Sequence, residues 1–256
     1  STANVGQLAV DLIIATFSLE RIAILNPKFC VPVVGGREND QKGITTPLEI
    51  YGRHDVGFVV IQQRSPVLKV YLLCHLLQFF TDEWARLDYK SMKGEFIETL
   101  LNFIKECRFG AALFLSGVDL SNRTDSQMLT PTYQICPQNS APLDATALAS
   151  LLSLPIPTYI SPVQQQPPQL SVNSLEIPFI PGGGLTRRIL SSLPAGWNIP
   201  TACLLQFVLE GDNRADAGFL ASVVMRVIGK EVTHWKQSGS WRDGLFGTPH
   251  DQTLYG

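Results

Sequence analysis

The chain has 256 residues, with 20 Lys and Arg against 22 Asp and Glu, for a formal net charge of −2 at pH 7. Apolar residues make up 45% but charged residues only 16%, against roughly 25% charged in an ordinary soluble domain. That length buries a sizeable core, near-neutral charge excludes the electrostatic footprint of a general nucleic-acid binder, and so few charges imply apolar surface covered by a partner.

The longest apolar stretches, residues 8–17, interrupted by Asp11, and 111–115, fall well short of the roughly 18 residues of a membrane span. No basic region precedes an apolar one at the N-terminus, so no signal peptide is read. Five cysteines (Cys30, Cys74, Cys107, Cys136 and Cys203) are scattered without a CxxC pair. They indicate neither a zinc site nor a disulfide framework, and a reduced intracellular compartment is expected.

Asn4 followed by Gln7 reads as a capping box. Val5, Leu8, Ala9, Leu12, Ile13 and Phe17 then recur at helical spacing, predicting an amphipathic helix that covers a sheet. Short apolar runs at 22–25, 31–34 and 56–61 are bounded by Pro and Gly, as strands are. Helices are predicted over 67–80 and 96–107. The second leads through Gly110 into residues 111–115, a continuous apolar run typical of a strand buried on both faces. That order predicts one α/β domain, residues 1–237, with a mostly parallel central sheet and helices on both faces.

Residues 154–174 carry five prolines around Gln164, Gln165 and Gln166, which reads as a surface loop. Beyond it lie residues 177–180, a run of three glycines (Gly182, Gly183 and Gly184) and a buried-strand candidate at 202–209. Glu210, Gly211, Asp212 and Asn213 make a turn, with Asn213 placed to cap the next helix. Phe219, Leu220, Val223, Val224, Val227 and Ile228 form that helix's apolar stripe. Residues 238–256 read as a flexible polar tail.

The glycine run invites a phosphate-loop reading, but the Walker pattern needs a Lys that is missing here. A tight turn with positive φ explains the glycines better. Glu210 and Asp212 stand where open α/β sheets place ligands, so an enzyme handling a nucleoside or phosphate ligand there is the alternative reading; turn and cap roles account for the same residues. His54, His75, His234 and His250 have no metal-ligand spacing. Neither a metal nor a cofactor is expected. The last three residues, Leu254, Tyr255 and Gly256, follow a polar stretch and read as a presented docking peptide, with a frayed terminus as the bland counterpart.

Four stretches, in order, are similar to one family: Asn4-Val5-Gly6-Gln7-Leu8-Ala9-Val10-Asp11-Leu12-Ile13; Ile180-Pro181-Gly182-Gly183-Gly184-Leu185-Thr186; Leu205-Gln206-Phe207-Val208-Leu209-Glu210-Gly211-Asp212-Asn213 with Asp216-Ala217; and Ser240-Trp241 with Leu245-Phe246-Gly247. They resemble the proteasome assembly chaperone 2 family. Residues 17–48 and 120–174 match poorly, as variable loops do.

The resemblance implies a non-enzymatic chaperone with an α/β/α fold, cytoplasmic and nuclear. It would promote assembly of the proteasome core particle's α-ring as a heterodimer with proteasome assembly chaperone 1. It implies that Leu254, Tyr255 and Gly256, matching the family's hydrophobic–Tyr–any ending, insert between α subunits. It also implies a strand ahead of Asn4, so an N-terminal truncation that leaves a strand without its partner is expected.

Overall fold

In the computed structural model, which describes residues 2–37, 42–68, 91–162 and 177–241, the helical spacing near the N-terminus forms α1 (Val5–Thr16). Its Val5, Leu8, Ala9, Leu12 and Ile13 are all buried. The expected capping box is not used. Asn4 sits at the cap position with a left-handed φ of 53° and makes no side-chain cap bond. The tight turn Thr2–Asn4 delivers the chain to the helix in a conformation that the box geometry excludes.

Three antiparallel strands follow, β1 (Glu20–Ile24), β4 (Leu48–Gly52) and β5 (Val59–Gln63), in the order β1-β4-β5. A two-stranded hairpin, β2 (Gly35–Gly36) with β3 (Ile44–Thr45), is inserted between β1 and β4. Beyond α2 (Ser91–Glu106), a second sheet joins β6 (Ala112–Asp119), β7 (Thr132–Ile135) and β8 (Thr201–Val208) in the order β6-β8-β7. Two further helices flank β8, α3 (Gly184–Ser191) and α4 (Arg214–Val227).

The expectation of a mostly parallel sheet is corrected. Among the described strands only β6 and β8 pair in parallel; β7 runs antiparallel to β8, and the first sheet is antiparallel throughout. For β4 and β5 the reason lies in their connection. β4 and β5 are joined by a short turn, closed by Val56 N–H on Arg53 O at 3.3 Å and by Gly57 at φ 75°. A parallel pair needs a crossover of about a dozen residues or more.

Other expected elements shift as well. Residues 31–34 form no strand, and 59–63 rather than 56–61 make β5. Most of the helix expected at 67–80 lies outside the described residues. β6 is only half-buried from Ala112 to Leu115, whereas β4 and β8 are buried at every position.

Helices do lie on both faces of the second sheet. Ala202, Leu204 and Val208 join α1 and the α4 residues Leu220, Ala221 and Val224 in one cluster. Cys203, Leu205 and Phe207 project the other way, onto Tyr133, Ile180 and Leu190 of α3. The expected α4 stripe is rotated: Leu220, Val224 and Val227 are buried, while Phe219 is half in solvent. Ala217 and Met225 complete the buried face in its place.

The proline-rich stretch is not loose where it is described. Gln134 N–H donates to Pro157 O at 2.9 Å and Tyr159 N–H to Gln134 O at 2.8 Å, which covers the outer edge of β7. Tyr159 packs its ring on Tyr133 and Phe207. At the other end, Trp241 is buried in the α1–α4 cluster, so the folded part runs past residue 237.

A polar network joins α1 to the first sheet. Glu49 on β4 is fully buried. It accepts from Arg21 Nη1 at 2.7 Å, Thr46 N at 3.0 Å and Tyr51 Oη at 2.6 Å. Gln62 on β5 donates to Asp11 of α1 at 2.5 Å, and Arg64 Nη1 reaches the same carboxylate at 3.5 Å. Burial by itself raises the Glu49 carboxyl, but the hydrogen bonds from Tyr51, Arg21 and Thr46 hold it below its ordinary 4.5. Burial, and then the bond to Glu49, raises the Tyr51 hydroxyl.

Because the folded carboxyl titrates below the unfolded one, its stabilisation is complete above the ordinary value and disappears as pH falls through the lowered one. Urea unfolding of Glu49→Gln across acid pH should therefore show a shallower loss of stability than the parent chain. Glu49→Ala, which strands Arg21 and Tyr51, should cost about 3 kcal/mol at pH 7.

Candidate functional site

The glycine loop, the Glu210 turn and the N-terminal turn are distant in sequence, and the fold brings them to one place. Gly182, at φ 74°, opens the turn into α3, closed by Gly183 N–H on Ile180 O at 3.0 Å. A Cβ on Gly182 would fall on the Thr2 hydroxyl, and a Cβ on Gly117 of β6 on the Thr2 carbonyl oxygen. The Glu210 carboxylate accepts the Ala3 backbone N–H at 3.2 Å. Gly6 of α1 sits against the Leu115 carbonyl, so close that a Cβ there would lie 3.3 Å from its oxygen. Glycine is required here so that backbone can approach backbone.

That packing answers the phosphate reading. The space a phosphate would take beside Gly182 is filled by Thr2. The nearby turn is acidic, which repels an anion. A shallow open cavity of about 250 Å³ lies there, lined by Leu120, Phe207, Glu210, Asp212, Asn213 and Asp216 among others.

Asp212 is bound to the Arg214 guanidinium and accepts its backbone N–H at 3.2 Å, and those bonds hold the Asp212 carboxyl below its usual range. Burial raises the Asp216 carboxyl. Asn213 does not cap α4 through its side chain; its amide donates to Gly211 O at 3.0 Å. The expected cap is displaced one residue upstream, to Asp212.

Burial raises the Cys30, Cys136 and Cys203 thiols, the opposite of what activates a nucleophile. Among the described residues no cluster of His, Cys, Asp and Glu could hold a metal ion. No described helix is long and apolar enough to cross a membrane. Leu254, Tyr255 and Gly256 lie outside the described residues, as do Cys74, His75 and His250.

Sequence reasoning missed Thr2 and Gly117 as partners of the glycine loop, and it missed the Glu49–Asp11 network. Charged and amide residues interrupting apolar strand segments, Glu49 within 48–52 and Gln62 within 59–63, are the available signal. A charge or amide on a buried strand needs a partner.

Gly182→Ala should force the Thr2–Asn4 turn off the loop. Through strain at positive φ and the overlap with Thr2, it should cost about 1–3 kcal/mol. Thermal unfolding checks the cost, and faster amide exchange over the first turn of α1 locates it.

A model described as the PAC2 family matches residues 1–84. Proteasome assembly chaperone 2 of Xenopus laevis is 30% identical over 258 residues, covering 97% of this chain and 89% of that protein. Proteasome assembly chaperone 2 of Nematostella vectensis is 30% identical over 230 residues, covering 85% and 81%. Among solved structures, Pyrococcus furiosus PbaA, described as an archaeal homolog of proteasome-assembly chaperone, superposes with a TM-score of 0.56 at 17% identity over 91% of this chain and 80% of that one. A Thermoplasma acidophilum protein of unknown function superposes with a TM-score of 0.54 at 13% identity over 91% and 74%. At those identities the superpositions speak for the fold.

Proposed function

The chain belongs to the proteasome assembly chaperone 2 family, and from that premise we propose that it promotes assembly of the proteasome core particle's α-ring, recognising surfaces rather than turning over a substrate. The observation that carries the proposal is the end-to-end match to relatives of that name, 97% of this chain on 89% of the Xenopus laevis protein. The internal use of the glycine loop and the Glu210 turn supports it, because the residues that invited an enzyme reading hold the N-terminal turn and α4 in place. Affinity purification from native extract tests it. Immature complexes containing α subunits should co-purify at sub-stoichiometric levels, and their absence would overturn the reading.

We place the chaperone in the cytoplasm and nucleus, working as a heterodimer with proteasome assembly chaperone 1. Support for a protein partner comes from exposed apolar side chains on the described surface: Ile22, Ile24, Val34 and Ile44 around the first sheet, and Leu129 and Ile160 at the other end. Exposed apolar groups of this number favour covering by another chain. Expressed alone, the chain should self-associate or be poorly soluble, and co-expression with the partner should restore a defined complex in sedimentation. A well-behaved monomer at high concentration would count against the heterodimer.

Leu254, Tyr255 and Gly256 are the proposed α-ring contact. Tyr255 would bury its ring and keep a hydrogen bond through its hydroxyl. Leu254 would fill an apolar slot, and the Gly256 carboxylate would pair with a basic residue at the pocket floor. One inserted tail binds weakly and acts by raising avidity beside the folded domain's contacts. Deleting residues 254–256, changing Tyr255→Ala, or appending one residue after Gly256 should each weaken α-ring association with the partner present. None should shift the thermal unfolding of the domain. Unchanged affinity in all three variants would remove the tail from the mechanism.

A further inference from the structure

The Glu49 network stops one bond short at two buried atoms. Gln62 is 1% exposed; its amide nitrogen donates to Asp11, while its Oε1 is buried and unpartnered. Arg64 Nε is likewise buried and unpartnered. It lies 3.8 Å from Glu49 Oε2, too far for a direct hydrogen bond.

The register brings these atoms to one face. Gln62 stands opposite Glu49 across β5 and β4, and Arg64 follows Gln62 by two positions, so its side chain leaves the strand on the same side. Glu49 Oε2 accepts from the Tyr51 hydroxyl at 2.6 Å and has a second lone pair. One donor, Arg64 Nε–H, therefore lies 3.8 Å from one acceptor, Glu49 Oε2, and a second acceptor, Gln62 Oε1, belongs to the side chain on the same face of the sheet. Direct closure is blocked, because Gln62 is held by Asp11 and Glu49 by Arg21, Thr46 and Tyr51.

We propose that this point is a binding site for a single buried water, which accepts from Arg64 Nε–H and donates to Gln62 Oε1 and Glu49 Oε2. A polar separation just beyond hydrogen-bonding range is where a bridging water belongs, and about three hydrogen bonds is the usual complement of a buried one. The water completes a continuous polar path from Asp11 on α1, through Gln62, to Glu49 on β4. Its own three bonds tie Gln62 and Arg64 to Glu49 of β4, and the direct contacts of Gln62 and Arg64 with Asp11 carry the network on to α1.

The test is a crystal structure of the full chain that shows ordered solvent, together with water-to-side-chain cross-relaxation by NMR at the Arg64 Nε proton. A density peak within hydrogen-bonding distance of all three atoms, and a cross-peak from a long-lived water, are the expected results. Arg64→Lys keeps the charge but lacks Nε. It should remain folded, keep an ion pair with Asp11, and lose the bound water from the crystal structure. A direct bond from Arg64 Nε to Glu49 or Gln62 in the parent chain, the absence of ordered solvent there, or an unchanged water in Arg64→Lys would overturn the proposal.

Discussion

One helix has to serve two sheets. The apolar side of α1 closes the core above β8 and against α4, while Asp11 of the same helix receives Gln62 of β5 and Arg64 just beyond it. Neither contact is sufficient alone. Apolar packing is non-directional and leaves the helix free to shift along the sheet; the polar network sets its position. A bond between buried charged groups is strong only when every member is satisfied, which is why Glu49 gathers three donating residues around one carboxylate.

From the placement of α1 follows the placement of its N-terminal turn. Thr2 and Ala3 reach Gly117, Gly182 and Glu210, residues carried by β6, by the loop before α3 and by the loop before α4. The side-chain-free faces of the glycines are therefore a packing requirement, and the Glu210 carboxylate satisfies a backbone donor at the start of the chain. Residues that look chemical in sequence hold a junction in the fold. Such a junction keeps the outer surfaces in fixed relation.

The described surface carries exposed apolar side chains. Ile22, Ile24 and Ile44 stand exposed around β1 and β3, and Leu129 and Ile160 flank the covered edge of β7. An edge strand such as β1, which exposes Ile22 and Ile24 beside the charged Glu20 and Arg21, invites pairing where its apolar side chains are left uncovered. Together with the low charged fraction, this fits a chain that functions in an assembly.

Helical periodicity was enough to place α1, α2 and α4, because a stripe repeating every three to four residues has one stable reading. The buried strand β8 was legible although Thr201 and Gln206 interrupt it, because a strand covered on both faces is apolar at most positions. The sequence similarity, spread over nearly the whole chain, identified the family before any geometry was known. Strand direction was not legible: β4, interrupted by Glu49, was not read as a strand, β5 read as an apolar run whichever way it pairs, and the short turn at Gly57 makes the two antiparallel. The caps were misassigned because Asn4 and Asn213 are good capping types whose backbone and amide are committed elsewhere. The junction of Thr2, Gly117, Gly182 and Glu210 and the network from Asp11 to Glu49 join residues far apart in the chain. Local pattern cannot encode such proximity; it arises when two sheets and their helices share one core, and that was decided by tertiary structure.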